Sequence, residues 1–557
     1  MNSATRSVLP PAAYGRFFEA GAHKPFCPGT HRNADGEFPP CLAVYGLTRD
    51  DLHACVLDLR AAGMKRRAVR IGIGIAAVLA LAGALVLFAE AWIPLLYDVH
   101  PPKPDYSPPL TLAQSQRDEL HYLRNITRLD WSYTEQTREA ANAVIDQAIR
   151  GPLPLSSGAF QLLIARVLAI ADNGHTNLGG ASTANRLNRL PIRVYSFADG
   201  VFVVRALPQG YALLGARILE IDGTPMDELR ARLRQYTGGT ENEKNVRLPF
   251  YLESPELLHA AGLAQECSRV ALTVLDAAGV ERTVSLEALP ANPHAPKSWP
   301  SEELRPRADP AEDKSWRVAL AGKVDSLPLF AAAPHAFFRE TLAGTDIFYV
   351  RFDSNNDDAG TSVTAFAKRT MKEILAATPA VIVVDLRMNG GGDYTLTAAF
   401  MRGLPVRLPD ARIYVLLSQE TFSAGMTDAA FLKQAGGSRV MFVGDWPGDR
   451  IRFHSEGSKF CLPYTHVCVM ARTAIHDYST RWCRPVLECY PLDRLYPVAI
   501  RSFAPEILAP LTYHDLARGI DPALDAIMQR ESTHRTRPPL SSAGAGNPRR
   551  RAYLLPP

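Results

Sequence analysis

One pattern occurs twice between Val381 and Ala430, and it limits the fold more than any other feature. Val381-Ile-Val-Val-Asp-Leu386 is an apolar run, Arg387-Met-Asn-Gly-Gly-Gly-Asp393 breaks it, and Tyr394 to Leu404 suits a helix. Ile413-Tyr-Val-Leu-Leu417 is a second run, Ser418-Gln-Glu-Thr-Phe-Ser423 turns the chain, and Ala424 to Lys433 suits a second helix before Gly436-Gly437. Short apolar runs alternating with helices imply βαβ units on a parallel sheet. Ile347 to Phe352 and Arg439 to Val443 add strands, and Ser362 to Ala377 adds a helix. Sheets of this kind carry chemistry at the carboxyl ends of their strands. The glycine turn and Ser423 both fall there.

At 557 residues the chain exceeds one ordinary domain. A net charge of +4 is small for that length and gives no reason to expect a nucleic-acid partner. Residues 1–64 read as a cytoplasmic N-terminal segment, and residues 65–97 as a transmembrane helix with its flanks. Ile71 to Ala89 has no charged residue, which at about 1.5 Å per residue nearly crosses a hydrocarbon core of about 30 Å. Lys65, Arg66, Arg67 and Arg70 precede it and predict a cytoplasmic amino end. The catalytic part then faces the exoplasmic side, which is the periplasm in a bacterium. Residues 98–110 are a stiff proline-rich linker. Residues 111–185 read as a helical subdomain whose last helix ends near Asp172-Asn-Gly174, with His175 just beyond. Residues 186–290 are β-rich. Residues 291–335 read as a linker, 336–530 as the α/β core, and 531–557 as a disordered tail.

Acyl transfer needs a nucleophile, a base and donors for an oxyanion. Ser423 sits at a strand-to-helix turn that exposes its hydroxyl, although serine there is also a common helix N-cap. Gly390, Gly391 and Gly392 expose backbone N–H groups at a helix start, which makes an anion site. No phosphate-loop spacing is present, so an oxyanion hole built by Gly391 and Ala424, with Gly390 beside them, fits better. A histidine just past a helix end, as His175 is, is commonly a surface or capping residue. Cys461 with Cys468 and Cys483 with Cys489 read as two local disulfides, with other pairings open. Zinc normally takes shorter spacings or partner histidines; His466 and His476 lie nearby and keep zinc as an alternative, but no metal is expected.

Asp385-Leu-Arg-Met-Asn-Gly-Gly-Gly392 resembles the D-x-R-x-N-x-G-G signature of the C-terminal-processing (tail-specific) serine peptidase family. Thr421-Phe-Ser-Ala424 resembles that family's nucleophile turn, and Asp172-Asn-Gly-His-Thr176 resembles the D-G-H-T element of its tricorn-like branch. Phe503-Ala-Pro-Glu to Gly519-Ile-Asp-Pro522 resembles the usual end of the domain. The resemblance implies a crotonase-like α/β core, a helical N-terminal subdomain and a PDZ-like β-rich insertion, from which Asn242 to Leu263 departs. It also implies peptide-bond hydrolysis through an acyl-enzyme on Ser423, a protein or peptide substrate and no cofactor.

The family's lysine version is absent here, because Gly444-Asp-Trp-Pro-Gly-Asp-Arg450 holds no lysine and Arg450 stays charged. The histidine version maps its base onto His175. Gly174 stands where that branch has a relay serine, so Glu456, Asp477 and Asp515 are the candidates to orient the ring. Two rivals remain: a catalytically inactive membrane scaffold that binds peptides through the PDZ-like unit, and a crotonase-type enzyme acting on a thioester.

Overall fold

The structure is a computed structural model, and it describes residues 73–81, 83–85, 87–88, 97, 99, 101–178, 184–292, 294, 304, 314–332, 335–358 and 360–536. The chain forms two compact units, Met1–Ala84 and Leu85–Pro557. The 1–64 expectation and most of the 65–97 one lie outside the described residues. Described residues between 73 and 88 are helical, and Ile73, Val78, Leu81 and Leu85 are exposed there. Among the described residues no helix is long and apolar enough to cross a membrane, so the expected anchor rests on the sequence alone.

The core of the larger unit is a six-stranded sheet. Its strands run in the order Ile507–Leu508, Val440–Gly444, Arg412–Leu417, Val381–Asp385, Ile347–Phe352 and Phe337–Thr341. All neighbours are parallel except the last pair. The four strands from Ile347 to Gly444 lie side by side in sequence order, so each crossover steps the same way. Crossovers of one hand then bring the Val363–Ala377, Thr395–Arg407 and Ala424–Gly436 helices to one face. Phe348, Val350, Ile382, Val384, Ile413 and Val415 share one core with Phe366, Met401 and Phe431 of those helices. The alternate strand residues Tyr349, Val383 and Leu416 pack with Leu524 and Ile527 of the Pro522–Thr536 helix. Burial on both faces explains why these strands read as continuous apolar runs.

Two elements differ from expectation. The tail predicted from residue 531 begins as helix and continues to Thr536. Its Glu531 is 4% exposed and accepts from Arg412 Nε at 2.9 Å and Tyr414 OH at 2.6 Å. Those partners hold the last turns against the sheet. The predicted 291–335 linker is ordered in its second half. Arg317–Val318 joins the β-rich sheet, and Leu320, Leu327 and Phe330 pack with Tyr195, Phe202 and Tyr513.

The β-rich region is a seven-stranded sheet whose main path is Ile192–Phe197, Gly200–Ala206, Arg217–Ile221, Arg269–Leu275 and Glu281–Glu287, all antiparallel. The Asn242–Leu263 stretch supplies two helices, Glu241–Leu252 and Pro255–Ala260. Ahead of the sheet stand Leu112–Leu129, Glu135–Arg150 and Ser157–Ala169, with Thr111, Thr134 and Ser156 as their N-caps. Their apolar faces share a core with Phe460, Val467 and Val469 of a hairpin whose strands are Ser458–Cys461 and Cys468–Ala471. The Cys461–Cys468 disulfide joins these two strands, and Cys483–Cys489 is bridged as well.

Candidate active site

Ser423 lies between the Arg412–Leu417 strand and the Ala424–Gly436 helix with φ 50° and ψ −123°. That conformation is strained for any residue with a Cβ, and such strain concentrates at functional sites. The Ser423 side chain makes no capping bond to the helix, so the N-cap alternative fails. Ala424 N–H, at the first helical position, has no intrahelical acceptor. Gly391 (φ +114°) stands opposite: a Cβ there would meet Ser423 Cβ at 2.8 Å and Ala424 N at 3.2 Å. Only glycine allows the two turns to come this close.

The rest of the signature builds the turn. Arg387 is 4% exposed and pairs with Asp385 at 2.6 Å and Asp521 at 2.8 Å. Tyr349 OH donates to Asp385 Oδ2 at 2.6 Å. Asn389 O accepts the Phe422 N–H at 2.9 Å, joining the glycine turn to the serine turn. Asn389 Oδ1 accepts the Gly391 N–H, also at 2.9 Å. The N–H expected to face an oxyanion is therefore engaged in this state, and Ala424 N–H is the donor that stands ready. Gly390 borders open space and, with Gly391, Gly392, Met388, Phe422 and Arg247, lines a cavity of about 470 Å³.

His175 is 5% exposed and held on three sides. Its Nδ1 lies 3.0 Å from Asp449 Oδ2. Phe422 stacks on its ring at 4.2 Å and Phe453 at 4.9 Å. Its Nε2 is buried without a hydrogen-bond partner, so Ser423 and His175 are not hydrogen bonded here, although Phe422 joins them. Burial holds the ring well below 6.5, with Arg472 and His476 adding to the effect, and burial pushes the Asp449 carboxyl up to about 7. A neutral imidazole with one nitrogen on a carboxylate and the other uncommitted has the form of a general base.

None of the three expected carboxylates touches this ring. Glu456 faces His476, at 3.2 Å. Asp477 pairs with Arg452 at 3.1 Å. Asp515 accepts from the cap residue Thr512, at 2.7 Å. The carboxylate on His175 is Asp449, inside the Gly444-to-Arg450 stretch that lacks the family's lysine. Its signal in the sequence is an acidic residue in a Pro-Gly turn just past a strand's carboxyl end.

The start of the Asn242–Leu263 stretch, with Thr240 just ahead of it, braces this loop. Thr240 Oγ1 donates to Gly448 O and Asn242 Nδ2 to Trp446 O, both at 2.6 Å. Arg450 reaches Asp172 Oδ2 at 2.8 Å, which ties the Asp449 loop to the His175 loop. Among the described residues no group of three His, Cys, Asp or Glu side chains is placed to hold a metal ion.

No family model matches the chain, and no curated protein matches it. Solved structures do match it, among them the following three. Mature CPAF complexed with lactacystin is 13% identical over 76% of this chain and 99% of its own, with a TM-score of 0.47. The photosystem II D1 C-terminal processing protease is 15% identical over 73% and 98%, with a TM-score of 0.33. A putative S41 protease from Bacteroides fragilis is 12% identical over 77% and 99%, with a TM-score of 0.32.

Proposed function

We propose that this chain is a serine peptidase that cleaves peptide bonds through an acyl-enzyme on Ser423. His175 Nε2 takes the serine proton as the hydroxyl attacks the carbonyl carbon, then delivers it to the leaving amine. Asp449 keeps the other ring proton on Nδ1 and stabilises the imidazolium that forms. Ala424 N–H receives the oxyanion, joined by Gly391 N–H once a substrate oxygen displaces the Asn389 side chain. A water then attacks the acyl carbon with the same base. The observation that carries this reading is Ser423 itself: a non-glycine residue at positive φ, its hydroxyl unused by the helix, one residue from the aromatic ring stacked on His175.

Finer parts of the reading belong with it. The sequential parallel core fits a crotonase-like sheet, and the antiparallel sheet fits a PDZ-like unit able to take a peptide along an edge. The exposed apolar residues between Ile73 and Phe88 fit a membrane-facing segment, and the two disulfides fit an exoplasmic catalytic part. One observation favours the inactive, peptide-binding alternative: the Ser423–His175 bond is unmade. A fluorophosphonate probe separates the two. Labelling that Ser423→Ala abolishes supports the peptidase. A folded wild type that binds peptide and is never labelled refutes it.

A further inference from the structure

A second buried histidine lies beside the site and takes no part in the mechanism above. His476 is 3% exposed, on the Ala474–Asp477 strand paired with Arg452–Ser455. Its Nε2 is 3.2 Å from Glu456 Oε1, and its Nδ1 is 3.1 Å from Asp493 Oδ2, an ion-pair contact without hydrogen-bond alignment, with Tyr478 OH 3.5 Å from the same nitrogen. Asp493 also accepts from Tyr394 OH at 3.0 Å. A carboxylate close to each nitrogen favours the doubly protonated ring. Burial opposes that charge, but Asp493 and Glu456 outweigh it and raise the ring to about 10.

Phe453 connects this cluster to the base. It stacks on His175 at 4.9 Å with 5° between planes, and on His476 at 5.2 Å with 17°. The two histidines are therefore at most about 10 Å apart, joined by one aromatic ring, a separation over which charges interact in a buried site. We propose that His476 is a positioning residue for His175: gripped by Glu456 and Asp493, it holds Phe453 and hence the plane of the base, and sets a fixed positive charge behind it. The inference rests on the peptidase reading.

The charged and titratable groups around His175 are Asp449 at Nδ1, Arg472 on its carbonyl at 2.8 Å, and His476, Glu456, Arg247 and His454 further out. Within this set His476 disfavours the protonated base and Glu456 favours it. One unit charge at about 10 Å and an effective dielectric of about 20 moves a titration by about one pH unit.

The test is the pH dependence of the rate at which a fluorophosphonate labels Ser423 in the full chain, whose acid limb belongs to the His175–Asp449 pair and responds to a nearby charge with the same sign at both groups. His476→Gln moves the acid limb up by about one pH unit, and Glu456→Gln moves it down. Limbs that stay in place, or that move together, overturn the proposal, even if the plateau rate falls. Should His476→Gln fail to fold, His476→Asn and His476→Phe take its place, and a limb that stays put in a folded variant overturns the proposal. A folded wild type that is never labelled overturns the peptidase reading and this inference with it.

Discussion

Replacing Asp449 with asparagine isolates what its carboxylate does. The side chain is 1% exposed, with Oδ2 on His175 Nδ1 at 3.0 Å and Oδ1 accepting the Arg450 N–H at 2.8 Å. The second contact decides how an amide would sit. To keep an acceptor on the Arg450 N–H, Asp449→Asn must place its NH₂ group against His175 Nδ1. An NH₂ there needs Nδ1 as an acceptor, so the ring proton moves to Nε2 and the lone pair that would deprotonate Ser423 is lost. Restoring the working tautomer sacrifices a charge-assisted hydrogen bond of about 1.5–3 kcal/mol and sets two donors face to face, a further 1–3 kcal/mol or so. The total of about 3–6 kcal/mol is roughly a 10²–10⁴-fold loss. Removing a buried charge costs little in folding, so the melting temperature should hold or rise. The assay is the second-order labelling rate of Ser423 near neutral pH, with thermal unfolding in parallel. A loss under tenfold with the fold intact refutes the role given to Asp449.

Ser423→Gly should abolish labelling and raise the melting temperature. It releases about 1–3 kcal/mol of strain at φ 50° against about 0.5–1 kcal/mol of added chain entropy. An unchanged or lower melting temperature would contradict the strain argument. Arg387→Met strands Asp385 and Asp521 as buried carboxylates, and urea unfolding should register a loss of about 3–5 kcal/mol. A loss below 1 kcal/mol would mean the Asp-x-Arg pair does not hold the turn. Arg450→Ala removes an exposed pair with Asp172, so its stability cost should stay near 1 kcal/mol or less and the labelling rate should change by less than about threefold.

The core was legible because its determinants are local. Val381–Asp385 and Arg412–Leu417 declare themselves by apolar runs, and the turns after them by glycine and serine. The end of the chain was not. Glu531 in a polar C-terminal stretch looks like solvated tail, and only its pairing with Arg412 and Tyr414 across the sheet makes it part of the core. The same holds for residues 314–332, whose proline- and charge-rich approach hides the apolar Leu320, Leu327 and Phe330 that pack beneath Tyr195.

At the site the division is sharper. The approach of Gly391 to Ser423 follows from residue types, since only a glycine admits another turn's Cβ that closely. The partner of His175 does not. Glu456, Asp477 and Asp449 all lie within one stretch after the Val440–Gly444 strand, and sequence cannot rank three carboxylates whose directions are set by strand register. Register decides it. Pairing Phe453 with His476 puts those rings in one stack, and Glu456 turns to the second histidine. Asp477 is drawn to Arg452, its partner across the same pair of strands. Asp449 precedes the strands, in a loop pinned by Thr240 and Asn242, and that pinning brings it under the His175 ring. The stretch read as a departure from a minimal peptide-binding unit thus bonds to the loop that carries Asp449, and the orientation of the His175 ring depends on an element whose residues carry no local sign of it.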